Sequence, residues 1–221
     1  RNDGLEFISK KLCGKSLLTA LADIENFFLQ LKPAPTWSRC TSVHIHLDAT
    51  DLSVEELIYM LGTYVLVEEL MFDIAGPDRK HNFYCMSYSS SEDIAYMLGK
   101  LWHGRDSDGS VVSAIAQFPK YSAVNIGAAR NLGSIEFRHH TGTFNFQKLV
   151  QWINIIMSLK KSAYGKSPKH LPEIFSSNEP AYFLQEHFGP LADVFIGIPE
   201  YAAKMRRGIQ LLQDILRLPE L

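Results

Sequence analysis

The segment that most constrains this chain is Gly133-Ser134-Ile135-Glu136-Phe137-Arg138-His139-His140-Thr141-Gly142. Ile135 and Phe137 alternate with Glu136 and Arg138, which is the period of a strand with one buried face. An ordinary solvated face would carry Thr, Lys or Ser. This one carries a carboxylate, a guanidinium and, with His140, an imidazole in succession. It reads either as the wall of a site or as an Arg–Glu ladder on an exposed sheet, where ion pairs are common and weak.

Other stretches share the pattern. In Ser42-Val43-His44-Ile45-His46-Leu47-Asp48 the apolar residues fall on one face, and Ser42, His44, His46 and Asp48 on the other. Two imidazoles on one face, followed by an acid, point to a ligand or catalytic role for at least one of them. In Lys120–Ile126, Val124 and Ile126 oppose Tyr121 and Asn125. Leu5–Ile8 reads as a short strand with Glu6 opposite Leu5 and Phe7, and His81–Cys85 as a returning strand. Stacked in one sheet, these strands would turn Glu6, His44, His46, Tyr121, Asn125, Glu136, Arg138 and His140 toward a common face. Acids beside histidine suit a divalent cation and phosphate oxygens, and arginine meets phosphate through a planar fork.

Long helical patterns separate the strands. Ser16 is placed to cap a stripe of Leu17, Leu21, Ile24, Phe28 and Leu31. Ser53-Val54-Glu55-Glu56 is a capping box opening a helix to about Met71. Ser90 and Asn145 are further caps, and Tyr201, Met205, Ile209, Leu212 and Leu216 form a last stripe. No G-x-G-x-x-G or Walker loop and no regular βαβ rhythm is present. The expected class is α+β: a mostly antiparallel twisted sheet with helices packed on one face.

At 221 residues, 46% hydrophobic and 21% charged, the chain can bury a substantial core. A net charge of −2 makes no case for a nucleic-acid or membrane partner. The three cysteines, Cys13, Cys40 and Cys85, lack C-x-x-C spacing, which favours reduced thiols and a cytoplasmic location. No apolar run approaches the roughly 20 residues of a membrane span.

The S-V-H-I-H-L strand, the K-Y-S-A-V-N segment and G-S-I-E-F-R-H-H-T-G-T, followed by a helix with Trp152, resemble the phage and bacterial amidoligase family. That family is grouped with the glutamine-synthetase-like carboxylate–amine ligases, which include glutamate–cysteine ligases. D-G-L-E-F-I-S resembles its second acidic strand, and Arg79 to Cys85 its R-x-x-N-x-Y-C-like segment. The likeness runs from about residue 3 to 163, with a helical extension over about 164–221, within one ligase-like domain spanning 1–221.

The resemblance implies a glutamine-synthetase-like catalytic fold and ATP-dependent amide formation through an acyl phosphate. The substrates would be a small-molecule or peptide carboxylate and an amine. Glu6, His44 and Glu136 would hold Mg²⁺. Arg138, with Glu136, would act in catalysis, stabilising the transferring phosphoryl group. His44, His46, Tyr121, Asn125 and Arg79 would line the nucleotide or substrate. The family opens on a strand of G-x-E-x-E pattern that this sequence lacks, so the chain is expected either to be missing that strand or to be a degenerate relative.

Two rivals stand beside this reading. A metal-dependent hydrolase could use His44-x-His46-x-Asp48, completed by His139 or His140. A ligase-like fold could instead serve as a binding or structural module in a phage particle or other assembly.

Overall fold

The structure, a computed structural model, describes residues 6–171 and 179–217. Its α-helices and strands are α1 (Gly14–Gln30), β1 (Ser42–Asp48), α2 (Val54–Ala75), α3 (Glu92–His103), α4 (Asp108–Gln117), β2 (Val124–Asn125), α5 (Ala129–Leu132), β3 (Ser134–Thr141), α6 (Phe146–Lys161), α7 (Pro180–Phe188), α8 (Ala192–Ile196) and α9 (Tyr201–Leu216). Helices and a small three-stranded antiparallel sheet make up the fold, with strand order β1-β3-β2.

Helix α2 is the centre of the molecule. Ser53 and Glu56 form the expected capping box, the Ser53 hydroxyl accepting from the Glu56 N–H at 3.2 Å and the Glu56 carboxylate accepting from the Ser53 N–H at 2.8 Å. From Leu57 to Phe72 nearly every side chain is buried, so the helix is covered on all sides. Helix α9 crosses it closely. A Cβ on Gly208 would lie 2.6 Å from the Leu66 carbonyl oxygen, so only glycine fits there. Arg207 forks onto Glu69 at 2.8 and 2.7 Å, and Lys204 reaches Asp73 at 2.7 Å, along the rim of this crossing.

The sheet lies on another side of α2. Ile135 and Phe137 of β3 are fully buried against it, and Ile45 and Leu47 of β1 join the same core. Helix α6, capped by Asn145 accepting from the Lys148 N–H at 2.9 Å, supplies Leu149 and Ile153 to a smaller cluster with Leu21, Val43 and Ile45. Helices therefore back the apolar face, as the alternation predicts.

Several elements differ from the sequence expectations. Leu5 lies outside the described residues, and Glu6–Ile8 run exposed and without regular structure; Phe7 rests on Phe28 of α1, ring centroids 5.0 Å apart. Phe7 takes an aromatic neighbour on α1 in place of a strand partner. His81–Cys85 is a turn rather than a strand: the Asn82 side chain accepts from the Tyr84 N–H at 2.9 Å and closes a 3₁₀ turn over Phe83–Cys85. The strand expected over Lys120–Ile126 shrinks to Val124–Asn125, because Asn125 accepts from the Gly127 N–H at 2.9 Å and starts a 3₁₀ turn. Helix α3 is capped by Ser91 rather than Ser90, and α1 begins at Gly14, ahead of Ser16.

Strand β3 also carries an irregularity invisible in its alternation. Ile45 pairs with Phe137 but Val43 pairs with His140, so Arg138 and His139 together oppose His44. This bulge moves His140 to the helix side, where it partners Val43 and packs on Trp152 at 5.1 Å. The expectation that His140 joins the polar face is thereby corrected. Among the described residues no helix is long and apolar enough to cross a membrane.

Candidate active site

Across the open face of the sheet the register aligns His46, Glu136 and Asn125 in one row, one residue from each strand. Residues directly opposite in antiparallel strands share a face, so the three side chains meet. Asn125 donates from Nδ2 to Glu136 Oε2 at 2.9 Å. Glu136 Oε1 receives Arg138 Nη1, and lies 3.2 Å from His44 Nδ1 and 3.8 Å from His46 Nε2. An ionised carboxylate only accepts, so His44 carries its proton on Nδ1 and presents Nε2 to the Ser42 hydroxyl at 2.8 Å. His46 Nδ1 meets Ser134 Oγ at 3.0 Å.

The electrostatics follow from this packing. Burial alone would raise the Glu136 carboxyl; hydrogen bonds from His44 and Asn125 and the Arg138 charge overcome it and hold the group at about 2. Glu136 is thus a fixed anion at neutral pH, unsuited to proton transfer. Arg138 directs Nε to the Tyr84 carbonyl at 3.3 Å, and its guanidinium sits 5.8 Å from the Tyr121 ring centroid. Nη1 and Nε are engaged, whereas Nη2 has no partner among the described residues. His46, its side chain 43% exposed, opens this row to solvent.

Of the residues expected from sequence, His44, His46, Asn125, Glu136, Arg138 and Tyr121 are brought together. Tyr121 comes from a loop rather than a strand, packed with Tyr84 and Phe83 at 5.6 and 6.0 Å. Glu6 stays outside the sheet on an exposed segment. Arg79 does not line the site. It is 1% exposed and braces the backbone, donating Nη1 to the Arg39 carbonyl and Nη2 to the Arg138 carbonyl, both at 3.1 Å. A guanidinium's planar fork matches two separated carbonyls as well as it matches phosphate, so sequence could not distinguish the two uses. The Asp48 carboxylate closes the turn after β1, accepting from the Thr50 N–H at 3.1 Å and its hydroxyl at 2.8 Å. His139 is fully buried among Trp152, Phe72 and Tyr64, and burial drops it to about 3.

Tyr84 was missed because it acts through its carbonyl, which any residue offers. Ser134 could have been found, since it lies in phase with Glu136 on the same face.

The expected Mg²⁺ can be tested against the donor set. Magnesium requires several oxygen ligands in an octahedron. Among the described residues the centre of this face offers one carboxylate, Glu136, whose oxygens both already accept from neighbours, and Asp48 at the strand end is committed to Thr50. Among the described residues no three His, Cys, Asp or Glu side chains are grouped to hold a metal ion. These residues do not fit a resident Mg²⁺. The donor this face leaves open is Arg138 Nη2, which suits an oxyanion rather than a metal ion.

Comparisons with known proteins bear on the same segment. No curated protein and no solved structure matches the chain. A family model described as "Putative amidoligase enzyme" matches residues 29–160. That span contains all three strands and every residue of the polar row, but not Glu6. The chain belongs to this amidoligase family.

Proposed function

We propose that the polar face of the sheet is the active site of an ATP-dependent carboxylate–amine ligase of the glutamine-synthetase-like class. Joining a carboxylate to an amine requires activation, and ATP would supply a phosphoryl group to the carboxylate oxygen. The amine nitrogen would then displace phosphate and lose a proton.

The observation that supports this most is the Glu136–Arg138 pair, held in the middle strand of a family-matched sheet with imidazoles on one side. Glu136 acts here by aiming: its bond to Nη1 and the Tyr84 carbonyl on Nε fix the guanidinium plane and leave Nη2 to grip an oxyanion. Asn125 and His44 keep Glu136 in place, and His46 lines the approach from solvent. Fixed donors of this kind stabilise developing charge without reorganising. Magnesium is not part of the proposal, given the donor set.

The burial of the pair favours a second reading. Glu136 and Arg138 are each 7% exposed and largely saturated by their neighbours, as in a structural brace within a ligase-like binding module. The hydrolase reading has no comparable support, with Asp48 committed to Thr50.

The experiment is phosphate release from ATP with a panel of carboxylates and amines, alongside melting temperature. For the ligase, Arg138→Lys keeps melting nearly unchanged and lowers phosphate release by about 10²-fold or more. No release with any pair, together with a large loss of stability in Arg138→Lys, would establish the brace instead.

A further inference from the structure

Glu68 lies within α2, 2% exposed and without an ion-pair partner among the described residues. A carboxyl group in such a place costs more than an apolar side chain of its size unless its oxygens are used. Both are used, and on another element. Oε1 accepts from the Tyr88 N–H at 2.7 Å and Oε2 from the Ser89 N–H at 3.1 Å. These N–H groups open the 3₁₀ turn Tyr88–Ser90, which the preceding serine does not cap. The Ser87 hydroxyl is turned instead to those of Ser90 and Ser89, donating to the first at 2.7 Å and accepting from the second at 3.0 Å. The cap comes from a helix residue 20 positions earlier. Tyr64, one turn before Glu68 on α2, packs edge-on against the Tyr88 ring at 5.3 Å.

The turn held in this way ends a short segment that meets the polar face at three points. Tyr84 presents its carbonyl to Arg138 Nε at 3.3 Å. Met86 donates its N–H to the Tyr121 carbonyl at 2.7 Å and accepts from the Ala123 N–H at 2.8 Å, a parallel rung beside the chain leading into β2. Tyr88 donates its hydroxyl to the Val124 carbonyl at 2.8 Å, next to the Asn125 that holds Glu136. Arg138, Tyr121 and Asn125 therefore each stand at or beside a contact made by residues 84–88.

We infer that Glu68 is a positioning residue for the polar face. By capping the Tyr88–Ser90 turn it sets residues 84–88 against the sheet, and through the Tyr84 carbonyl it fixes the plane of the Arg138 guanidinium. The inference rests on the ligase reading in one respect, that Arg138 is the group whose aim matters. A side chain that merely filled this space could be exchanged for an apolar one of equal length. One that serves as an acceptor cannot, because two N–H groups would lose their partner.

The test is hydrogen exchange by NMR, without nucleotide, at the Tyr88 and Ser89 amides and at Arg138 Nε–H. Glu68→Met keeps length and packing but offers no comparable acceptor, and speeds exchange at all three by about tenfold. Glu68→Gln retains a carbonyl oxygen and stays near wild type. Gly208→Ala disturbs α2 from the α9 side and leaves Arg138 Nε–H unmoved, so lost stability alone does not give the signature. An Arg138 Nε–H indifferent to Glu68→Met, or speeded equally by Gly208→Ala, would overturn the inference. Should Glu68→Met fail to fold, wild type decides. The three groups then share one opening with a common urea dependence if Glu68 couples them, and separate openings would overturn the coupling. Exchange that responds as expected, with no phosphate release from any carboxylate and amine, would keep the positioning role and remove the ligase. Phosphate release unchanged in Glu68→Met, with Arg138 Nε–H unmoved, would overturn the positioning role and leave the ligase.

Discussion

Glu136 and Arg138, two positions apart on β3, stand side by side on the sheet's open face and are joined through Oε1 and Nη1. Each is anchored from a different neighbour: Glu136 by Asn125 of β2, Arg138 by the carbonyl of Tyr84. The pair is therefore oriented from outside its own strand. Removing the guanidinium should leave a buried carboxylate short of its main charge partner. Arg138→Ala is expected to destabilise the fold by about 3–5 kcal/mol, as breaking a buried ion pair does, measured by denaturant unfolding. Arg138→Lys should cost far less, because a positive charge remains.

Acid should act through Glu136. Its folded value, about 2, lies below the ordinary 4.5, so it contributes stability above about pH 4.5 that is lost as pH falls toward 2. Melting temperature of wild type should fall through that window. In Glu136→Gln this component disappears, and the gap between wild type and variant should narrow as the solution is acidified.

Glu68 should behave in the opposite sense. It sits inside α2, accepting from the backbone N–H groups of Tyr88 and Ser89 at 2.7 and 3.1 Å, and burial raises it to about 7. Between about pH 4.5 and 7 the folded state holds a proton the unfolded state has released, so its contribution declines as pH rises. Relative to wild type, Glu68→Gln should melt comparatively higher at pH 8 than at pH 5. A gap between the two proteins that is constant across pH would contradict this.

The α2–α9 crossing offers a test of packing free of charge effects. Gly208→Ala places a methyl against the carbonyls of Leu66 and Val65 at 2.6 and 2.7 Å. Despite the better helix propensity of alanine, the variant should lose about 1–3 kcal/mol, because backbone cannot yield as a side chain can.

The parts legible from sequence were those governed by periodicity and by local capping. Strand alternation identified His44, His46, Glu136 and Arg138, and the Ser53–Glu56 box and Asn145 marked two helix starts. The rest depends on contacts remote in sequence. Nothing near Arg79 says that it bridges two carbonyls, and nothing near Glu6 says that it lacks a strand partner. The all-round burial of α2 becomes visible only when sheet, α6 and α9 are in place. The bulge is a property of two strands together, so one strand's alternation placed His140 on the wrong side.

That bulge has a bearing on which length changes β3 can accept. Between Phe137 and Thr141 the strand alternates through the sheet once too often, and the surplus residue is what seats both His139 and His140 against Trp152. Deleting His139 would restore a regular ladder with Arg138 and Thr141 still on the polar face, but only one imidazole would then remain against Trp152. The extra residue is therefore not what holds the guanidinium in place; what it adds is a second ring packed on the helix side of the strand.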